Sequence, residues 1–338
     1  MAHAATENMM QDDATGGSSA GAAAASPNGA GAAAVNGKED ESRDQTYFGY
    51  YAQLTNQQNM LQDSIRTGTY QWAITQNKTD FKDKVVLDVG AGSGILSFFA
   101  LQAGARKVYA VEASDITQFA RALVRANHVE DKLTVLHGKL EDITLPEPVD
   151  VIISEPMGVL LVHERMIETF IRARINWLKP GGLMFPTTST IYLAPFTDAG
   201  LYNETIAKVR FWEQRDFHGV DLSVLVPDAM VHHFGQPVVG CFDPRTLMAA
   251  AIEFPINFMT VSVEELQAFE IPFRLTSNYT GIVHGLAGWF DVNFNGTDTH
   301  VCLTTSPFGP KTHWYQIRFL FKVRPRTASL ARVRARVW

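Results

Sequence analysis

Two glutamates, Glu155 and Glu164, flank the apolar run GVLLV inside the segment SEPMGVLLVHERM, 154–166. A carboxylate beside so much apolar surface costs free energy unless something positive pairs with it. One partner suits two carboxylates across an apolar-walled slot: a guanidinium, flat, with five N–H donors that match carboxylates in pairs. The residues also allow a blander reading, in which Glu164 complements a helix dipole and Glu155 is solvated in a loop. Upstream, VVLDVGAGSG ends an apolar strand in Asp88 and follows it with Gly90, Gly92 and Gly94 ahead of a helix. Alternating glycines let a backbone turn sharply and approach a ligand closely. The third glycine of a dinucleotide fingerprint would fall on Ile95, so a nicotinamide dinucleotide is the poorer match.

Glu112 closes the next strand about 20 residues on, where a carboxylate can accept both hydroxyls of a ribose. Asp88, the glycine turn and Glu112 together point to S-adenosylmethionine. Arg66 precedes this unit and could fork onto the carboxylate of the methionine part. Glu141, after the third strand, falls where adenine would lie. Methyl transfer to arginine faces a delocalised nitrogen lone pair on a group that stays protonated, with a pKa above about 12. Holding the positive charge towards Glu155 would leave the other terminal nitrogen more nucleophilic, so positioning and electrostatics would supply most of the catalysis. Paired carboxylates also serve glycoside hydrolases, but the glycine turn speaks against that here.

Elements at a regular pitch must position these groups. KVVLDVG, KVYAVEA, KLTVLHG and VDVIISEP read as buried strands, with LMFPTT as a further one after the breaker KPGG. GILSFFALQAGA stops at Gly104, DITQFARALVRANH starts from Ser114 or Asp115 as cap, and RMIETFIRARINWL is a third helix. Residues 48–76 give one or two short helices. Such alternation specifies a doubly wound α/β sheet. After Pro186 the strand-like runs STIYLAPF, FEIPFRL, GIVHGLAGWFDVNF and HWYQIRFLF imply a β domain, interrupted by a helical insert at 198–216.

The 338-residue chain has room for about two domains. Its 46% hydrophobic and 19% charged residues are ordinary for a globular protein, whereas a net charge of −6 disfavours direct nucleic-acid binding. Cys241 and Cys302 have neither metal-site nor disulfide spacing, so no metal is expected. No apolar run is long enough to span a membrane. These features suit a soluble protein of a reducing, intracellular compartment. Residues 1–43, rich in Ala, Gly and Ser and without aromatics, are expected to be disordered.

In order, YFGYY, NMLQDSIRTGTY, VLDVGAGSG, AVEAS, SEPMG…HERM, MFPT, LAPF and THWYQ resemble the motifs of protein arginine N-methyltransferases, from about Tyr47 to Phe321. They look most like the coactivator-associated, histone-directed members of the type I group. The resemblance implies a Rossmann-like methyltransferase domain (44–185), then a β-barrel (186–338) carrying a helical arm for homodimers. It implies guanidinium binding by Glu155 and Glu164, and cofactor binding by Arg66, Glu112 and Glu141. It pairs His313 with Asp63 beside Thr312 and Trp314, and folds Tyr47, Phe48 and Tyr51 over the cofactor. Met60 and Met166 would leave room for a second methyl, giving asymmetric dimethylarginine in histone tails and other proteins of nucleus and cytoplasm. The chain departs from the pattern at Val159 and His163. It departs again in its basic end, RPRTASLARVRARVW, which reads as a truncated or aberrant barrel terminus. A catalytically impaired paralogue acting as a dimerising scaffold is the alternative expectation, and a small-molecule methyltransferase a third.

Overall fold

A computed structural model describes residues 47–322 apart from Leu275 and Tyr279. The low-complexity stretch 1–43 and the basic end beyond Lys322 lie outside the described residues. A helical turn at 47–51 leads into α1 (Leu54–Gln62), α2 (Ser64–Thr75) and α3 (Lys78–Phe81). Alternation follows: β1 (Val85–Val89), α4 (Ile95–Gln102), β2 (Lys107–Glu112), α5 (Thr117–Ala126), β3 (Leu133–His137), β4 (Val149–Ser154), α6 (Met166–Trp177) and β5 (Leu178–Phe185). These strands form one parallel sheet in the order β3-β2-β1-β4-β5. Every residue of β1 is buried, as a strand covered on both faces requires. The order reverses beside β1, and a crevice opens there at the carboxyl ends of the strands.

The second sheet is antiparallel. Its strands are β6 (Thr188–Phe196), β7 (Val238–Val239), β8 (Ile252–Asn257), β9 (Gly285–Asn295), β10 (His300–Thr304) and β11 (Ile317–Leu320). The order is β7-β11-β9-β6-β8, with β10 also on β9. Ile191, Leu193, Phe290, Val292 and Phe294 join the core of the parallel-sheet domain, so the two sheets share one apolar interior.

Several local expectations change. KPGG lies within β5 rather than ending a helix in a loop: the register jumps from Val149↔Leu178 to Val151↔Leu183, and the surplus backbone bulges outward. Helix α5 has no side-chain cap, its N-cap being Ile116. Ser114 is instead buried with its N–H on Glu112, and Asp115 faces His137 at 3.8 Å. Of FEIPFRL, the described residues 269–274 form no strand, since Pro272 lacks the N–H a ladder needs. Only its Ile317–Leu320 portion of HWYQIRFLF pairs, leaving His313 on a turn. Strand β8 carries Pro255 yet pairs with β6, which the sheet edge permits. The helical insertion is longer than 198–216, with α7 (Ala199–Arg210) followed by α8 (Val226–Gly235). Tyr202 and Phe234 pack edge to face between them at 5.4 Å. Phe211, Phe217, Val220, Val224, Leu225 and Val231 are exposed along this insertion.

The β9–β10 turn fastens onto the end of α2 through Asn77, which is fully buried. Its Nδ2 donates to Ala73 O (2.8 Å) and Thr299 O (2.9 Å), while its Oδ1 accepts from Asp298 N (3.0 Å) and Thr299 N (2.7 Å). Asn77→Ala removes all four bonds of a fully buried amide and is expected to cost about 3 kcal/mol. Urea denaturation checks this, and a cost below about 1 kcal/mol would mean that water replaces the amide.

Candidate active site

The register Val89↔Ser154 brings the ends of β1 and β4 side by side, so the glycine turn and Glu155 leave the sheet as neighbours. Gly90, Gly92 and Gly94 have φ of 68°, 54° and 85°, conformations that side chains rarely adopt. A Cβ on Gly92 would sit 2.8 Å from Gln57 Oε1, and one on Gly90 2.6 Å from Met166 Cε. The turn borders a cavity of about 860 Å³, within the usual range for small-ligand sites.

Glu112 is buried at the end of β2, where Gly92 N donates to Oε2 (2.8 Å) and Ser114 N to Oε1 (2.7 Å). Each oxygen keeps a second lone pair towards the cavity, so a diol such as ribose fits. Asp88, expected among the cofactor ligands, is placed otherwise. It is fully buried and does not line the cavity, because alternation along β1 turns it under the loop, where Ser97 Oγ donates to Oδ2 at 2.7 Å. Burial pushes it up to about 7 against the bonds from Ser97. Its influence on a ligand passes through the turn. Glu141 lies at the rim, 3.9 Å from the Arg172 guanidinium, and Phe48 lines the same side beneath the Lys139 ammonium.

Arg66 Nε and Nη2 fork onto a single oxygen, Glu155 Oε2, at 3.0 and 2.8 Å, both side chains being nearly buried. The arginine expected to bind a ligand carboxylate thus also compensates one of the paired glutamates, with Nη1 reaching Met60 O at 3.4 Å. Asp63 joins three elements: it caps α2 by accepting Arg66 N (2.9 Å), and it takes both His313 N (2.9 Å) and His313 Nδ1 (2.8 Å). Burial opposes its charge, but those bonds outweigh burial and hold it at about 2. Trp314, next along that turn, donates Nε1 to Met157 O at 2.8 Å and so anchors the segment carrying the glutamates.

Glu164 lines the same cavity as Glu155, and two of the three tyrosines of the first helical turn donate to its Oε2: Tyr51 at 2.8 Å and Tyr47 at 3.2 Å. Burial pushes Glu164 up to about 7, the charge of Glu155 adds to this, and the phenols oppose it. Burial and the adjoining carboxylate raise both phenols well above their usual range, so they remain donors. Met60 and Met166 line the same cavity. Sequence reading missed Gln57. It is buried, accepts Ser93 N at Oε1 (3.1 Å) and donates Nε2 to Tyr51 O (3.0 Å), tying the aromatic turn to the glycine turn. Its only signal is the i, i+3 spacing to Met60 on one helix face. The site can therefore hold a nucleoside with a pendant carboxylate on one side and a cation between two carboxylates on the other. No cluster of metal-ligating residues occurs among the described residues, and neither described cysteine is paired.

Residues 187–333 match a family model described as the arginine methyltransferase oligomerization subdomain, and 69–186 match one for the ribosomal protein L11 methyltransferase. The histone-arginine methyltransferase CARMER of Drosophila ananassae is 53% identical over 283 residues, covering 84% of this chain and 53% of the relative. The chain thus spans about half the length of the curated relatives it matches. Among solved structures, the Trypanosoma brucei PRMT1 enzyme–prozyme heterotetrameric complex with AdoHcy aligns with TM-score 0.75 at 34% identity, covering 85% of this chain and 88% of that one. The protein arginine methyltransferase 10 of Arabidopsis thaliana, in an open conformation, aligns with TM-score 0.75 at 36% identity, covering 82% and 85%.

Proposed function

The chain belongs to the protein arginine methyltransferase family, and from that premise we propose that it methylates arginine in proteins, using S-adenosylmethionine. The observation that carries this is the pair Glu155 and Glu164 lining one cavity of about 860 Å³, with Glu164 partly buried and held by two phenols. The cofactor, when bound, supplies an activated methyl group. Glu112 would hold its ribose, Arg66 its carboxylate and Glu141 its adenine, while Gly90 and Gly92 leave it space. Phe48 and the aromatic turn would cover it and exclude water.

Glu155 and Glu164 would clamp the guanidinium in its plane and aim one terminal nitrogen at the methyl. Tyr47 and Tyr51 occupy Oε2 of Glu164, which directs Oε1 to the substrate. The proton released from the attacking nitrogen suits Glu164, whose proton affinity near neutrality matches a general base. Met60 and Met166, unbranched and adaptable, leave space for a second methyl on that nitrogen. The expected product is asymmetric dimethylarginine. Histone tails are the substrate class that the relatives' names favour, which would place the protein in the nucleus as well as the cytoplasm. The exposed apolar residues of the α7–α8 insertion would bury themselves in a homodimer. No helix among the described residues is long and apolar enough to cross a membrane.

Incubation with methyl-labelled S-adenosylmethionine and mixed histones, then acid hydrolysis, tests the reading. Label in asymmetric dimethylarginine supports it, and label only in small amines overturns it. A pH dependence follows. The guanidinium is charged throughout, so kcat/KM should track the ionised fraction of Glu164. Below about 7 it should fall about tenfold per pH unit, and above that level off. A profile flat from pH 5.5 to 8 would mean that Glu164 is ionised throughout.

A further inference from the structure

The segment joining the glutamates is held in an uncommon backbone shape. Leu160, Leu161 and Arg165 have φ of 49°, 73° and 61°, all left-handed, a region that bulky side chains seldom occupy. Three such residues in one short segment require surroundings that fix them. For the leucines these are reciprocal bonds, Gly158 N to Leu161 O (3.0 Å) and Leu161 N to Gly158 O (2.9 Å), with both leucines buried. Gly158 lies so close that a Cβ there would be 2.7 Å from Glu164 Cγ and 2.8 Å from Glu164 N. The loop therefore presses directly on the residue that the site needs placed.

Arg165 comes next and is the last residue before α6 begins at Met166. It makes the left-handed turn without capping the helix, and its guanidinium reaches into the first turn instead. There Nε donates to Glu168 Oε1 (2.6 Å) and Nη2 to Glu168 Oε2 (3.0 Å). Glu168 also accepts Gln267 Nε2 at 3.2 Å, so the fork is fastened to both α6 and α9 (Val263–Gln267). We propose that Arg165 is a positioning residue for Glu164: its bidentate pair with Glu168 holds the left-handed backbone that aims the Glu164 carboxylate into the cavity. This rests on Glu164 being a guanidinium ligand. The alternative role for Arg165, that of a charge near the site, makes the opposite prediction, since removing a cation near a cationic substrate should improve its binding.

Arg165→Ala, Arg165→Gly and Arg165→Lys in the full chain separate the two. Glycine adopts the left-handed turn without strain, and lysine keeps the charge but cannot fork. With an arginine peptide, alanine and lysine should lower kcat/KM at least about tenfold, chiefly in kcat, and glycine only about threefold. Affinity for S-adenosylhomocysteine should stay within about twofold in all three, because the fork touches no proposed cofactor ligand. The second readout needs no activity: carbon-13 NMR of the glutamate carboxyls followed through a titration. The Glu164 midpoint, about 7 in the parent, should persist with glycine and fall towards an ordinary glutamate with alanine. Alanine at parental or higher kcat/KM, or glycine as impaired as alanine, overturns the proposal. If the parent methylates no arginine peptide while the midpoint still moves in alanine alone, the positioning role stands and the arginine-methylation reading fails.

Discussion

Glu164→Gln should lower kcat/KM for an arginine peptide by about a thousandfold, while leaving S-adenosylhomocysteine affinity within about threefold. The substitution keeps the shape of the side chain and an oxygen for the two phenols, and removes only the charge. On the proposed reading that charge would clamp the guanidinium and aim its nitrogen. Stability should move the other way. In the folded state Glu164 holds its proton up to about 7, above the ordinary glutamate value of 4.5. Ionising it therefore costs folding free energy, and that cost develops as pH rises between those two values. At pH 8 the glutamine variant should be at least as stable as the parent. Isothermal titration, peptide kinetics and urea denaturation at pH 8 would decide this. An active variant would move the guanidinium site elsewhere, and an inactive, destabilised one would make Glu164 a structural residue.

Arg66→Met should have the second largest effect, and on two properties at once. Removing one partner of a buried pair leaves the other charge uncompensated, so folding stability should drop by about 3 kcal/mol. Arg66 also pairs with Glu155 from a position that lines the cavity. Losing it should weaken cofactor affinity by about a hundredfold. The double variant Arg66→Met with Glu155→Gln separates the two roles. It should regain about 2 kcal/mol of stability, since no lone charge remains buried, yet regain no cofactor affinity. Recovery of cofactor affinity in the double variant would mean that Arg66 serves Glu155 alone.

The chemistry-bearing residues were legible in the sequence to an unusual degree, because most of them stand where a strand ends. Glu112 and Glu155 mark the carboxyl ends of β2 and β4, and the glycine turn that of β1. A short apolar run followed by a carboxylate or a glycine is a local pattern. Asp88 shows the limit of that pattern. It occupies the same strand end, yet alternation turns it under the turn, and which face looks to the cavity is set by the helices packed on the sheet. The second sheet was less legible. Strand β8 was hidden by Pro255, which only its edge position allows, and KPGG passed for a loop because its strand partner, β4, lies far back in the sequence.

By itself, then, the sequence determined the alternating strands and helices, the glycine turn, the two glutamates and the aromatic turn before them. Each depends on residue types within a few positions of one another. The tertiary structure decided the partnerships: Arg66 on Glu155, two phenols on one oxygen of Glu164, Asp63 between α2 and His313, and Gln57 between two turns. These join residues up to 250 positions apart. Such contacts exist only once both sheets have packed into one core, because the directions of side chains across a shared interior follow from the packing of whole elements and not from local spacing.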